Sequence, residues 1–220
     1  MTQTHHDDPV FAQFARITSA LAAESRLVLL DRLCQGEQTV EQLAEAASLS
    51  VSNTSRHLRQ LAECGLAAVR RDPPFVYYRV ADDSVVLFWF ALRELARKRS
   101  QELERVMDDL VGGKDPVSPM RRDELLERMS TGEVVVLDVR PGPEYRAGHI
   151  PGAVSVPLEE LEARLDALPA DRDVVAYCRG PYCMLAVDAV ARLRERGLQA
   201  RRLEDGFPEW KAAGLPVQTT

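Results

Sequence analysis

Apolar positions in the first half of the chain recur every three or four residues, whereas in the second half they gather into short Val- and Leu-rich runs between helical stretches. The first pattern predicts amphipathic helices at Phe11 to Ala23 and Ser25 to Cys34, the latter stopped by Gly36. Thr39-Val40-Glu41-Gln42 reads as a capping box opening a short third helix through Ala47. The turn Ser48-Leu49-Ser50 precedes a fourth helix, N-capped by Ser50, running to Glu63 and ended by Gly65. Val51, Thr54, Leu58, Leu61 and Ala62 share its inward face. Leu66 to Arg71 and Phe75 to Val80 are strand-like runs around Asp72-Pro73-Pro74, which predicts a hairpin. A single long helix is expected from about Asp82 to Val111, with Trp89, Leu92, Ala96, Leu103, Val106 and Leu110 as its apolar stripe and Arg99 interrupting it. So long a stripe exceeds what a small domain covers alone; pairing with a second subunit is expected, with packing on the same chain as the alternative.

Gly112 to Pro119 joins two glycines to two prolines without apolar periodicity, which is linker chemistry. The expected division is therefore 1–111, a linker at 112–119, and 120–220. Beyond the linker, a helix from Arg122 to Met129 leads to a buried strand from Glu133 to Arg140. Then come a short helix and turn at Glu144 to Ala153, a strand at Val154 to Val156 and a helix at Leu158 to Leu168. An apolar strand from Asp173 to Tyr177 ends at Cys178, and a helix begins near Met184 or Leu185 and runs to Arg196. The expected fold class is two domains, mainly α with a helix-turn-helix and hairpin, then α/β with a mainly parallel sheet.

A chain of 220 residues suits two domains, and 45% apolar with 28% charged residues is an ordinary soluble composition. The start, MTQTHHDDPV, lacks the basic and apolar regions of a secretory signal, and no apolar run is long enough to span a membrane. With four cysteines, this predicts reduced thiols and a cytoplasmic protein. The net charge of −6 argues against indiscriminate nucleic-acid binding, but it hides a basic island. Between Ser50 and Val80, Arg56, Arg59, Arg70, Arg71 and Arg79 face only Glu63 and Asp72. Such an island suits a short piece of DNA; a solvated basic surface is the alternative. Two short helices joined by a three-residue turn, the second polar and basic outward, form a helix-turn-helix, and the hairpin is its wing. The candidate DNA contacts are Ser52, Asn53, Thr54, Ser55, Arg56, His57, Arg59 and Gln60 on the helix, with Arg70, Arg71, Tyr77 and Arg79 on the wing. His57 is either a phosphate contact or a half-buried filler.

The run from Glu24 to Val80, with its turn, recognition helix and YYR wing, resembles the winged helix of the ArsR/SmtB family of dimeric prokaryotic repressors, over about residues 10 to 110. The resemblance implies a homodimer on a near-palindromic double-stranded operator, released by an inducer. Its metal-sensing members carry a Cys-x-Cys pair in the third helix or His and Asp ligands in the last one. Here the third helix reads Val40-Glu41-Gln42-Leu43-Ala44-Glu45-Ala46 and the last contains no histidine, so no metal and no cofactor are expected. Cys34 and Cys64 are read as packed helix-end cysteines, with a sensor role as the alternative. His5 and His6 are read as a disordered tail rather than a metal site.

Cys178-Arg179-Gly180-Pro181-Tyr182-Cys183 links a strand end to a helix N-terminus at Met184, where backbone N–H groups and the helix dipole converge. A thiolate is stabilised there, so the Cys178 pKa is expected to fall, and the same cradle would hold a persulfide. The motifs LDVR, EYRAGHIPGA, YCRGPYC and LEDGFPEW-KAAGLPV resemble, in order, a rhodanese domain over about residues 120 to 217. That implies sulfurtransferase chemistry with Cys178 as sulfur carrier and a small donor such as thiosulfate or polysulfide. It also implies Arg179 as a loop cation for an anionic donor, Asp138 and Arg140 as supports, a structural His149, and Trp210 packed under the site. Related phosphatases need Cys-x5-Arg; that position is Met184 and the loop is one residue short, which argues against phosphatase activity. Cys183 is either a resolving thiol or a small apolar contact. Three functions stay open: a sulfur-responsive repressor, a sulfurtransferase whose winged helix dimerises or localises it, and a thiol-redox repressor using Cys178 and Cys183.

Overall fold

The structure, a computed structural model, describes residues 9–115, 117–165, 168 and 172–220. The chain divides into two compact units, Met1–Val85 and Val86–Thr220. The reading of His5 and His6 as a tail lies outside the described residues.

The first unit contains α1 (Pro9–Leu21), α2 (Glu24–Leu33), β1 (Gln38–Thr39), α3 (Val40–Ala46), α4 (Val51–Glu63), β2 (Ala67–Asp72) and β3 (Phe75–Val80). Leu29, Leu30 and Leu33 of α2 pack with Leu43 of α3 and Leu58 and Leu61 of α4 in its core. Thr39 and Gln42 form the expected capping box on α3, and the Ser50 Oγ accepts from the Asn53 N–H to cap α4. The three-stranded antiparallel sheet has the order β1-β3-β2 and makes the wing. β1 pairs Gln38 with Tyr78 and Thr39 with Tyr77; two residues are too few to leave a periodic trace in sequence. Val51, expected to face inward, is 49% exposed because it sits at the first position after the cap, outside the reach of α2 and α3.

The long helix expected from Asp82 to Val111 is two helices, α5 (Asp83–Arg99) and α6 (Gln101–Val111). The break is chemical: Ser100 leaves helical geometry and its Oγ accepts from the Leu103 N–H, capping α6. The division at Val85 falls earlier than the compositional boundary near Gly112, because α5 from Val86 onward and α6 group with the second unit. Asp115, within the expected linker, is held by Arg194 and Arg202 at 3.1 and 2.6 Å.

The second unit continues with α7 (Arg122–Thr131), β4 (Val134–Asp138), α8 (Gly142–Ala147), β5 (Val154–Ser155), α9 (Leu161–Arg164), β6 (Asp173–Tyr177), α10 (Met184–Glu195), β7 (Ala200–Arg202) and α11 (Phe207–Ala212). Its sheet, β5-β4-β6-β7, is parallel throughout. The helix expected at Leu158 is a 3-10 turn over Leu158–Glu160 followed by α9. Strand alternation splits the core: Leu137, Val139, Val174, Ala176 and Cys178 lie on the α10 face, and Val134, Val136, Val175 and Tyr177 on the other with Phe207 and Trp210. Cys178 thus inherits the apolar side of β6.

Candidate functional site

On α4, Ser52, Asn53, Arg56, Arg59 and Gln60 are exposed and Ser55 is half-buried, so these side chains form one open polar face. Thr54 does not belong to it: the residue is fully buried and its Oγ1 has no hydrogen-bond partner among the described residues. His57 is half-buried with its Nδ1 enclosed and unpartnered, which favours the filler reading over a phosphate contact. Arg71 and Arg79 are exposed on the wing, and Tyr77 is half-buried. Arg70 is engaged otherwise: its guanidinium meets Glu37 at 2.6 Å and Asp72 at 3.1 Å and stacks 4.1 Å over the Tyr77 ring. An open cleft of about 480 Å³ between helix and wing is lined by Ser55, Arg59, Glu63, Arg71 and Tyr78. Cys34 is buried at the end of α2, and the Cys64 thiol contacts the Arg16 carbonyl at 3.9 Å.

In the second unit, β6 delivers Cys178 to the carboxyl edge of the parallel sheet and α10 begins at Met184. The loop curls tightly: the Cys183 N–H donates to the Gly180 carbonyl at 3.1 Å, and the Cys178 Sγ lies 3.4 Å from the Cys183 carbonyl. Gly180 holds φ +147°, within the range that favours glycine. Pro181 is exposed, and Tyr182, Cys183 and Met184 are half-buried. Gly206, ahead of α11, presses on the loop so closely that a Cβ there would stand 2.2 Å from the Gly180 nitrogen.

The two loop thiols divide one protonation equilibrium between them. Burial pushes the Cys178 thiol well up, as does its hydrogen bond with Cys183, against the weaker pull of the Ala186 and Gly180 amides. Cys183 is lowered to about 7, chiefly by the hydrogen bond from Cys178, with the Arg179 and Leu185 amides helping against burial. The expectation that Cys178 itself would be depressed is therefore corrected. Its amide cradle exists, but burial on the apolar α10 face outweighs it, and the first ionisation belongs to the Cys178–Cys183 pair.

Beneath the loop lies a buried ionic network. Arg140 and Asp138 have no side-chain exposure and meet at 2.6 Å, and Arg140 also donates to the Gly148 carbonyl at 2.7 Å. The Tyr177 hydroxyl donates to Asp138 at 2.6 Å and accepts from the Ile150 N–H, so the residue preceding Cys178 is pinned to the support pair. Burial, then the Asp138 charge, raises the Tyr177 pKa and keeps it a donor. His149 stacks on Tyr145 at 3.7 Å and lies 2.9 Å from its carbonyl, while the Trp210 indole donates to the Pro216 carbonyl. Arg179 is not a cation open to donors: its Nε contacts both Glu144 oxygens at 2.9 Å and its side chain is 9% exposed. The sequence reading missed Glu144 and Tyr177; both stand inside quoted motifs, but which carboxylate answers Arg179 depends on where α8 packs.

The model of bacterial regulatory proteins of the arsR family matches residues 23–69, and that of the rhodanese-like domain matches residues 121–213. An HTH-type transcriptional regulator of Mycobacterium tuberculosis is 43% identical over 205 residues, 93% of this chain and 90% of that protein. A sulfurtransferase of Allochromatium vinosum is 32% identical over 103 residues, 46% of this chain and 94% of its own length. The nodulation protein NolR of Rhizobium meliloti is 36% identical over 93 residues, 42% of this chain and 74% of its own. Recognition helix, wing and cysteine loop thus occur in one chain that aligns almost end to end with a regulator, and the protein belongs to the ArsR-family transcriptional regulators that carry a C-terminal rhodanese-like domain.

Proposed function

We propose that this regulator is a cytoplasmic homodimeric repressor whose rhodanese domain carries sulfur on Cys178 and whose operator affinity responds to it. The observation that carries the reading is the paired-thiol loop, which sets Cys178 at the carboxyl edge of the parallel sheet and Cys183 at the start of α10. Two coupled thiols that share one proton can present the Cys178 sulfur as the nucleophile. Cys178 attacks the sulfane sulfur of thiosulfate, the S–S bond breaks, sulfite leaves with the bonding pair, and a Cys178 persulfide remains. Cys183 can then attack the inner sulfur, expel hydrosulfide and close a disulfide, so the sulfane sulfur is reduced as the two thiols are oxidised. That geometry also favours the thiol-redox reading as the second one. Exposed apolar residues on α1, including Val10, Phe11 and Phe14, support a dimer face in the first unit.

The test is fluorescence anisotropy on double-stranded DNA from the protein's own promoter, with and without thiosulfate or polysulfide, on wild type and Cys178→Ser. A sulfur-dependent change in affinity that vanishes in Cys178→Ser supports the repressor. Equal binding under all conditions sinks sulfur sensing. A response to a sulfur-free oxidant alone would favour the thiol-redox reading.

A further inference from the structure

The loop's own arginine, Arg179, is committed to Glu144, and Arg140 beneath it is committed to Asp138. The basic side chain reaching the loop from another direction is Arg93, on the part of α5 that groups with the second unit. Its Nη2 lies 2.7 Å from Glu209 Oε1, with the side chain 11% exposed. Its guanidinium carbon stands 5.3 Å from the Tyr182 ring centroid, and a Cβ on Gly180 would be 3.5 Å from the same Nη2. Glu209 is held in place in turn, because its Oε2 accepts from the Gly206 N–H at 3.0 Å. The Arg93 Nε, however, is buried and has no hydrogen-bond partner among the described residues. A charged donor buried in this way is costly unless an acceptor arrives.

We infer that Arg93 is the donor-recognition residue of the Cys178 loop, taking the sulfonate oxygens of a thiosulfate-type donor on its Nε and adjacent N–H edge while the sulfane sulfur meets the thiol. This rests on the sulfur-carrying reading above. A planar guanidinium presents two parallel N–H donors, the spacing of two oxygens on one sulfur. When the S–S bond breaks, sulfite departs with the electron pair, and the growing negative charge falls on the group Arg93 holds. Glu209 competes for the same cation, so a donor on Arg93 must displace or share that carboxylate. Arg93 lies outside the stretch matching the rhodanese-like model, so donor recognition is written into the helix that follows the wing. A donor in the loop therefore touches α5 directly.

The test uses the full chain as wild type, Arg93→Gln, Arg93→Lys, Glu209→Gln and Cys178→Ser. Thiosulfate kcat and KM are measured, together with alkylation of the loop cysteines by anionic iodoacetate and neutral iodoacetamide, resolved by peptide mass spectrometry. In Arg93→Gln, KM is expected to rise about tenfold with kcat changed far less, and the iodoacetate-to-iodoacetamide ratio to fall about tenfold. Arg93→Lys should recover most of the ratio, and Glu209→Gln should raise it severalfold by releasing Arg93. If both reagents slow together in Arg93→Gln, or the ratio is the same in all forms, Arg93 only packs α5 against the loop and the inference fails. If wild type takes no sulfur from thiosulfate or polysulfide, the proposed function fails, while the alkylation ratio still decides the role of Arg93. Should Arg93→Gln fail to fold, the Glu209→Gln ratio decides: a rise supports the inference and no rise overturns it.

Discussion

The recognition-helix face of the first unit and the cysteine loop of the second use arginine in opposite ways. Arg56, Arg59 and Arg71 are exposed on α4 and the wing, where a charge acts over a Debye length and tolerates imprecise placement. Arg140 and Arg179 are sealed beneath and within the loop, each locked to a carboxylate, where their worth is geometric. One surface holds charge in reserve for a partner, and the other has spent it on shape. A solvent-facing site therefore should fail gradually when mutated and a buried one abruptly. The sharpest test is Asp138→Asn. It removes one member of an ion pair that has no side-chain exposure, for an expected loss of about 3–5 kcal/mol. Calorimetry should show the melting transition of the second unit dropping while that of the first holds. A loss below about 1 kcal/mol would mean the pair is compensated from elsewhere.

Gly206→Ala probes the same rigidity without touching charge. A Cβ would stand 2.2 Å from the Gly180 nitrogen and 2.4 Å from the Arg179 carbonyl carbon, both backbone atoms that cannot swing away. The loop must shift, and a displacement near 1 Å costs about a hundredfold in a positioned reaction. Sulfur uptake by Cys178 should fall by that order while operator binding persists. Retention of full uptake would show that the loop adapts and that its reactivity is not set by its shape.

Cys183→Ala asks how the loop keeps a thiolate at all. In wild type, alkylation of the pair should rise with pH through about 7, because Cys183 is charged above that value. Removing Cys183 takes away the thiol that is lowered to about 7 and leaves Cys178 with burial still opposing its charge, so the alkylation midpoint moves up. At pH 7 the rate should fall at least about tenfold, one decade for each unit of midpoint shift. An unchanged midpoint would place the neutral-pH thiolate on Cys178 and restore the dipole argument.

What could be read in advance follows the same division. Caps and turns are local, so Thr39-Gln42, Ser50 and the wing were legible in a few adjacent residues. The place of Cys178 between an apolar strand and a helix start was legible from adjacent residues. Its direction of pKa shift was not, since that depends on which face of β6 it occupies and on α10 packed over that face. Thr54 reads in sequence both as an inward-face residue and as a DNA contact; its register on α4 decides for the core. Arg93 was invisible for a further reason. Its partner Glu209 lies more than a hundred residues away, and the apolar stripe around it argued for a second subunit or for packing on the same chain.

The smallest effects belong to the exposed face, and there the contrast between neighbours is informative. Arg71 is exposed, lines the cleft with Arg59 and makes no ion pair among the described residues, whereas Arg70 is clamped by Glu37 and Asp72 over Tyr77. If the wing reads phosphate by charge, Arg71→Ala should lower affinity for every DNA sequence alike and reduce the salt slope by about 0.9. Arg59→Ala should do the same from the helix. Arg70→Ala should leave the slope nearly unchanged, because its charge is already answered within the protein and a phosphate would have to displace two carboxylates. Titrations at several salt concentrations on promoter and unrelated DNA separate the cases. Equal slopes for Arg70→Ala and Arg71→Ala would mean that Glu37 releases its arginine on binding, making the wing a surface with a second charge to deploy rather than one fixed by the free protein.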